Sequence, residues 1–199
     1  LTAYGIPSMD LLPPQALQHV LDFLARQGHR SIDCFNTQTC DPIMEARLEQ
    51  WKLWLAAHRM EGRLHNYPIR PYDSPLAQAH EEMRRILQKG ELSATALFCT
   101  TMPAAIGAVR AMRDAGFHPG GGAPADVAVA AFGDENLGQY MSPSITCLAN
   151  PHPDPYLAIC IDWLRQPHAG WVGPLRMRAA EPALFLGEST ATPRVVEAS

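Results

Sequence analysis

The stretch that most constrains the fold is residues 127–148, VAVAAFGDENLGQYMSPSITCL. Its first part is apolar at consecutive positions, which is typical of a strand that is covered on both faces of a parallel sheet. An acidic turn and a short polar segment follow, and P-S-I-T then opens a second strand candidate. Ligands of such sheets bind beyond the carboxyl ends of the strands, so residues 132–135 fall where a small molecule would be bound.

Strand and helix candidates alternate along nearly the whole chain. Apolar residues at helical spacing predict the helices, and short apolar runs predict the strands between them. The predicted helices cover residues 14–27, 42–55, 74–86, 103–115 and 155–164, and the predicted strands cover residues 31–35, 65–69, 95–99, 127–132, 143–148, 175–178 and 183–186. This alternation implies right-handed βαβ units, and we therefore predict an α/β fold with a doubly wound, largely parallel sheet.

Composition and charge exclude several classes of function. The 199 residues carry a net charge of −4, and Lys and Arg form no dense stripe of the kind that binds nucleic acid. No apolar run reaches the length of a membrane span, and no basic-then-apolar leader opens the chain. Five cysteines without a Cys-x-x-Cys pair favour a reducing compartment. We predict a cytoplasmic protein that has no membrane partner and does not hold DNA by itself.

An ordered series of short motifs resembles the effector-binding domain of the LacI/GalR family of bacterial transcriptional regulators. The motifs are, in chain order, G-H-R-S-I at 28–32, Arg47 followed by the aromatic Trp51, T-A-L-F-C at 95–99, A-I-G-A at 105–108, P-A-D-V at 124–127 and P-S-I-T at 143–146. Each motif alone is weak, and their order over residues 5–190 carries the resemblance. It implies a periplasmic-binding-protein-like fold of type I, present mostly as the C-terminal lobe.

The resemblance also implies a division of the chain into lobes. Residues 1–13 correspond to the end of the N-terminal lobe, and residues 14–148 correspond to the C-terminal lobe. Residues 149–174 are the N-lobe return segment, and residues 175–199 are the C-lobe ending and tail. The family's DNA-binding helix-turn-helix and the first half of its N-terminal lobe have no counterpart in this sequence. We therefore expect a fragment that lacks the DNA-binding segment.

The same resemblance assigns residues to an effector site between the lobes. Arg47 matches the family's effector-binding arginine, whose planar fork suits a diol, a carboxylate or a phosphate. The alternative is a surface arginine that lies along Trp51. Tyr72 falls near the aromatic residue that stacks on an effector ring, and a core tyrosine is the competing interpretation. Thr101 stands where many members carry a hydrogen-bonding asparagine.

Two departures from the family change the chemistry expected of this site. Gly133 replaces the aspartate that holds sugar hydroxyls or a purine, and Met102 replaces the aspartate of the N-D motif. Losing both carboxylates makes the site more positive, so we expect an anionic or less hydroxylated effector, or a pocket that binds none. Asp134 can take over through a backbone shift that glycine permits. Asp41 lies in a loop that often supplies contacts, although helix capping explains it equally well.

The function implied by the resemblance is that of the ligand-sensing and dimerisation domain of a LacI-type regulator or repressor. A small-molecule effector, sugar-like or an anionic metabolite, would control DNA binding by the homodimer, and operator DNA would be contacted only through the missing helix-turn-helix. The alternatives are a periplasmic solute-binding protein of the same fold and a small α/β enzyme. No G-x-S-x-G, Walker, G-x-G-x-x-G or HExxH motif occurs, so we predict no catalytic residue, cofactor or metal site.

Overall fold

The computed structural model describes residues 8–10, 12–70, 72–120, 126–165, 176–178 and 182–190. The start of the segment predicted to end the N-terminal lobe, much of the later part of the return segment and the tail from residue 191 lie outside the described residues. None of the helices in the described residues combines the length and the apolar character needed to cross a lipid bilayer.

Strands and helices alternate in the described residues, as the sequence predicts. The strands are β1 (Ser8–Asp10), β2 (Ile32–Asn36), β3 (Leu64–Asn66), β4 (Ala96–Cys99), β5 (Ala128–Ala131), β6 (Thr146–Leu148), β7 (Arg176–Arg178) and β8 (Leu184–Phe185). The helices are α1 (Leu17–Arg26), α2 (Pro42–His58), α3 (Pro75–Gln88), α4 (Met102–Asp114), α5 (Glu135–Gly138) and α6 (Asp154–Arg165). A single 3₁₀ turn, Pro14–Ala16, leads into α1.

Six of these strands form one sheet in the order β3-β2-β4-β5-β6-β8. All neighbours from β3 to β6 pair in parallel, and β8 alone in this sheet pairs antiparallel, with β6. The predicted α/β fold with a doubly wound, largely parallel sheet is therefore confirmed. The chain order reverses between β2 and β4, and the carboxyl ends of strands at such a switch point flank a crevice.

Helices cover both faces of this sheet, which explains why the strand residues are apolar at consecutive positions. In β4, Ala96 and Phe98 pack in the cluster formed with α1 and α2. Leu97 and Cys99 pack in the cluster formed with α3 and α4. Because side chains alternate between the faces of a strand, every residue of β4 enters one of two cores.

A second, two-stranded parallel sheet joins β1 to β7, with Met9 opposite Met177. The predicted division grouped residues 175–199 with the C-terminal lobe. Within this segment β7 pairs with β1, whereas β8 joins the six-stranded sheet, and the division into lobes stays a prediction. The two short strands carry no alternation that would have indicated their partner.

Side-chain caps and prolines fix where three of the helices begin. Asp41 accepts a hydrogen bond from the Met44 amide at 2.8 Å, and Thr101 accepts one from the Ala104 amide at 3.4 Å. Ser74 caps α3 in the same way, and each of the three helices has a proline in its first turn. A cap satisfies an amide that the first helical turn leaves open. The caps therefore hold the N-termini of α2 and α4 at the carboxyl edge of the sheet.

Two hydroxyls near the end of the described chain contact the central strands: Ser189 joins β5 to β6, and Thr190 contacts β6. Ser189 Oγ donates to the Val129 carbonyl at 2.6 Å and accepts from the Thr146 amide at 3.0 Å. Thr190 Oγ1 lies 2.6 Å from Thr146 Oγ1. All of these groups are buried, so each bond satisfies a polar atom that water cannot reach.

We predict that Ser189→Ala lowers the free energy of unfolding by about 1–3 kcal/mol, because it leaves a buried amide and a buried carbonyl without their partner. Urea denaturation followed by circular dichroism measures this loss. Ser93→Ala is the matched control, because Ser93 is exposed. If both substitutions lowered the free energy of unfolding equally, the stabilising role assigned to the Ser189 hydroxyl would be contradicted.

Candidate functional site at the carboxyl edge of the sheet

A cavity of about 400 Å³ opens at the carboxyl edge of the six-stranded sheet. Its lining comes from segments that are far apart in the sequence: the turn before α1, the first two turns of α2, the start of α4, and the residues that follow β5 and β6. The polar lining residues are Arg47, Thr101, Asp134 and Asn150. The apolar lining residues are Leu12, Ile43, Met102, Pro103 and Phe132.

Arg47 is held in place by two contacts that cross the switch point of the sheet. Its Nη1 donates to the Thr100 carbonyl at 3.0 Å. Its guanidinium carbon lies 3.8 Å from the centroid of the Phe132 ring, which is a cation–π contact. Trp51 is buried and donates its Nε1 to the Ile32 carbonyl. The aromatic ring over which the guanidinium of Arg47 lies is that of Phe132.

Thr101 presents a hydroxyl that can donate to a ligand. Its Oγ1 accepts from the Ala104 amide and from Gln38 Nε2, each at 3.4 Å. A hydroxyl oxygen that accepts twice still carries its hydrogen, which can be donated to another acceptor. Thr101 therefore suits a ligand oxygen that accepts a hydrogen bond.

The turn after β5 brings a carboxylate to the cavity. Gly133 and Asp134 both have left-handed backbones, with φ of +79° and +67°. Glycine adopts this conformation freely, and aspartate tolerates it better than most residues. The side chain of Asp134 does not cap α5, and the residue lines the cavity. The site thus combines a carboxylate with the guanidinium of Arg47.

A thiol below this turn stays protonated at neutral pH. Burial, and to a lesser extent the negative charges of Glu135 and Asp134, raise the pKa of Cys147 to about 12. Burial also raises the pKa values of Cys34 and Cys99. Thiols of this kind are poor nucleophiles. Within the described part of the chain, no group of three His, Cys, Asp or Glu side chains could hold a metal ion.

Comparison with known proteins identifies the family. The periplasmic binding protein-like domain matches residues 21–190. The chain belongs to this family. A comparison with curated proteins found no match.

Solved structures of LacI-family regulators share the fold of this periplasmic binding protein-like domain. A regulator from Enterococcus faecium with bound ribose has a TM-score of 0.72 and 18% identity, covering 94% of this chain and 65% of that one. A sugar-binding regulator from Escherichia coli complexed with phosphate has a TM-score of 0.72 and 21% identity, covering 94% and 64%. A dimeric lac repressor with a C-terminal deletion has a TM-score of 0.75 and 18% identity, covering 95% and 66%. The predicted resemblance to LacI effector-binding domains is confirmed, and the chain spans about 65% of the length of such structures.

The structure brings three of the five predicted site residues together at the cavity of this domain: Arg47, Thr101 and Asp134. Tyr72 has φ of +73° and a fully exposed side chain, and it is not among the lining residues. Asp41 caps α2, as the alternative interpretation proposed, and does not line the cavity either.

Sequence reasoning missed Asn150, which lines the cavity two residues after β6. The signal was available, because Asn150 follows a parallel strand in the same way as Thr101 and Asp134 do. The P-S-I-T motif ends at residue 146, and no motif extends to Asn150. Gln38, which follows β2 and contacts Thr101, was missed for the same reason.

We predict that alkaline solution destabilises the domain through its buried thiols. The folded pKa of Cys147 is about 12, against an ordinary value of 9.0, so the folded chain keeps a proton that the unfolded chain releases. The stabilisation is fully present below pH 9 and is lost as the pH rises toward 12, by up to about 1.4 kcal/mol per pH unit. Urea denaturation of the wild type and of Cys147→Ala over this range measures their free energies of unfolding. The difference between the two free energies should narrow as the pH rises.

The matched control for this experiment is Cys40→Ala, because Cys40 is exposed. This variant should keep the pH dependence of the wild type. A difference between wild type and Cys147→Ala that stays constant from pH 8 to pH 11 would contradict the assigned ionisation.

Proposed function

We propose that the chain is the effector-binding domain of a LacI-type transcriptional regulator. A small molecule bound at the cavity controls DNA binding by the full-length protein, which acts in the cytoplasm as a homodimer. The observation that carries this proposal is the convergence of Arg47, Thr101 and Asp134 on one cavity at the switch point of the sheet. Ligands of open parallel sheets bind at such points.

The fold comparisons support a regulator over a solute receptor or an enzyme. The neighbours described above are LacI-family regulators, one with bound ribose, one with phosphate and one dimeric. The described lining of the cavity offers a guanidinium, a hydroxyl, a carboxylate and an amide. Binding rather than covalent catalysis suits this set, because the nearby Cys147 thiol is protonated at neutral pH.

The effector is a sugar-like or otherwise hydroxylated metabolite that carries an anionic group. Arg47 supplies a planar fork that binds carboxylate or phosphate oxygens in pairs, and Thr101 adds a donor. Asp134 supplies an acceptor for a hydroxyl. Gly133 and Met102 stand where the family has carboxylates, so the site holds fewer acceptors for a neutral sugar than the family pattern provides.

Control of DNA binding follows from a shift between two arrangements of the lobes. An effector that binds one arrangement more tightly raises its population, by no more than its difference in affinity for the two arrangements. The changed arrangement alters how the dimer presents its DNA-binding segments. Arg47 lies on α2 and contacts the residue after β4, so a ligand held by Arg47 engages both sides of the switch point.

We predict that Arg47→Gln weakens binding of an anionic sugar by about 10- to 100-fold, because a hydrogen bond to a charged group contributes about 1.5–3 kcal/mol. Isothermal titration of the full-length protein with ribose 5-phosphate, gluconate and neutral ribose measures this effect and the ligand preference. Arg30→Gln is the matched control, because Arg30 is exposed and does not line the cavity. Tight binding of neutral ribose that Arg47→Gln leaves unchanged would overturn the proposed effector class.

We predict that Gly133→Asp raises the affinity for a neutral pentose about tenfold and lowers the affinity for the anionic ligand. A Cβ at this position would meet Leu12 Cδ1 at 3.7 Å and Asn150 Oδ1 at 3.9 Å, which are ordinary contact distances, so the Cβ itself is accommodated. The backbone strain at φ of +79° is shared by Gly133→Asn, which lacks the charge and is the matched control. Equal ligand preferences of the two variants, measured by titration calorimetry, would contradict the prediction.

A further inference from the structure

Asn36 ends β2 with its side chain fully buried, and its amide uses every hydrogen-bonding position that it has. Nδ2 donates to Asn66 Oδ1 at 2.8 Å and to the Gln38 carbonyl at 3.2 Å. Oδ1 accepts from Thr100 Oγ1 at 2.7 Å and from the Gln38 amide at 3.2 Å. An amide side chain offers two donors and two acceptor positions, so Asn36 is completely satisfied.

These bonds tie together the carboxyl ends of three neighbouring strands. Asn66 ends β3, Asn36 ends β2 and Thr100 directly follows β4. The residues of β4 itself are apolar, so the strand packs without such hydrogen bonds. Asn36 and Thr100 are fully buried, whereas Asn66 is exposed. A buried polar group whose hydrogen bonds are all made favours one arrangement of its partners. The cluster therefore fixes the relative positions of the segments that follow these strands.

Two polar residues of the cavity are each one hydrogen bond away from this cluster. The Thr100 carbonyl accepts from Arg47 Nη1 at 3.0 Å, and the Thr100 amide donates to the Phe35 carbonyl at 3.0 Å. Gln38 is held by Asn36 at its amide and its carbonyl, and its Nε2 donates to Thr101 Oγ1 at 3.4 Å. Asn36 is thus linked to Arg47 through Thr100 and to Thr101 through Gln38.

We propose that Asn36 is a positioning residue of the cavity. It fixes the Thr100 carbonyl so that the guanidinium of Arg47 stays over Phe132, and it fixes Gln38 so that the hydroxyl of Thr101 keeps its orientation. This inference deepens the proposed function and rests on it for its biological meaning. A guanidinium that is ordered before the ligand arrives loses less conformational freedom on binding, which raises affinity.

The position of Arg47 can be measured without any ligand. Its side-chain protons lie close to the face of an aromatic ring, so their NMR signals are displaced upfield, and Phe132→Leu removes the displacement. Thr100→Val keeps the shape of the side chain but cannot donate to Asn36, and Thr100→Ser is the control that keeps the hydroxyl. We expect Thr100→Val and Asn36→Leu to move the Arg47 signals toward their random-coil positions, and Thr100→Ser to leave them displaced.

The outcome separates a positioning role from a structural one. Amide spectra recorded well below the melting temperature verify that each variant is folded, and Thr100→Val alone suffices if Asn36→Leu does not fold. Arg47 signals that stay fully displaced in Thr100→Val would overturn the proposal, whatever the loss of stability. Failure of the full-length protein to bind an anionic sugar would instead count against the proposed function and leave this result intact.

Discussion

The parallel pairing of β2 with β4 is the constraint on which the site depends. Their register aligns Phe35 with Cys99, and the Thr100 amide continues the ladder by donating to the Phe35 carbonyl. This pairing brings the helix that follows β2 beside the residue that follows β4, where Arg47 reaches the Thr100 carbonyl. Since the chain order reverses between these two strands, the crevice at their ends is open to a ligand.

The carboxylate of the cavity comes from Asp134, and the backbone at Gly133 determines where this residue lies. Gly133 carries no side chain, and the left-handed turn that it begins carries the next residue, Asp134, to the cavity. The site therefore keeps one carboxylate, displaced along the chain by one residue relative to the family pattern. In the function that we propose, the guanidinium of Arg47 and the carboxylate of Asp134 suit a ligand that offers both an anionic group and hydroxyls.

Sequence reasoning reached most of the fold because most residues of the buried strands are apolar at consecutive positions, which is typical of a sheet covered on both faces. Arg47 and Thr101 were found because they match positions of the family's motifs, and Asp134 was found because it directly follows Gly133, which stands at such a position. Asn36 was missed because a single polar residue at the end of an apolar strand has no pattern that indicates a buried network, and Asn150 was missed because the sequence motifs ended before it. The partner of β7 could not be predicted either, since three residues carry too little alternation to specify a register.

A crystal structure of the full-length protein grown with ribose 5-phosphate tests most directly whether this edge of the sheet is an effector site. We predict that the phosphate or sugar oxygens lie within hydrogen-bonding distance of the Arg47 guanidinium and the Thr101 hydroxyl, with the guanidinium still over Phe132. A ligand bound elsewhere, or a cavity that stays empty at a saturating concentration, would contradict the assignment.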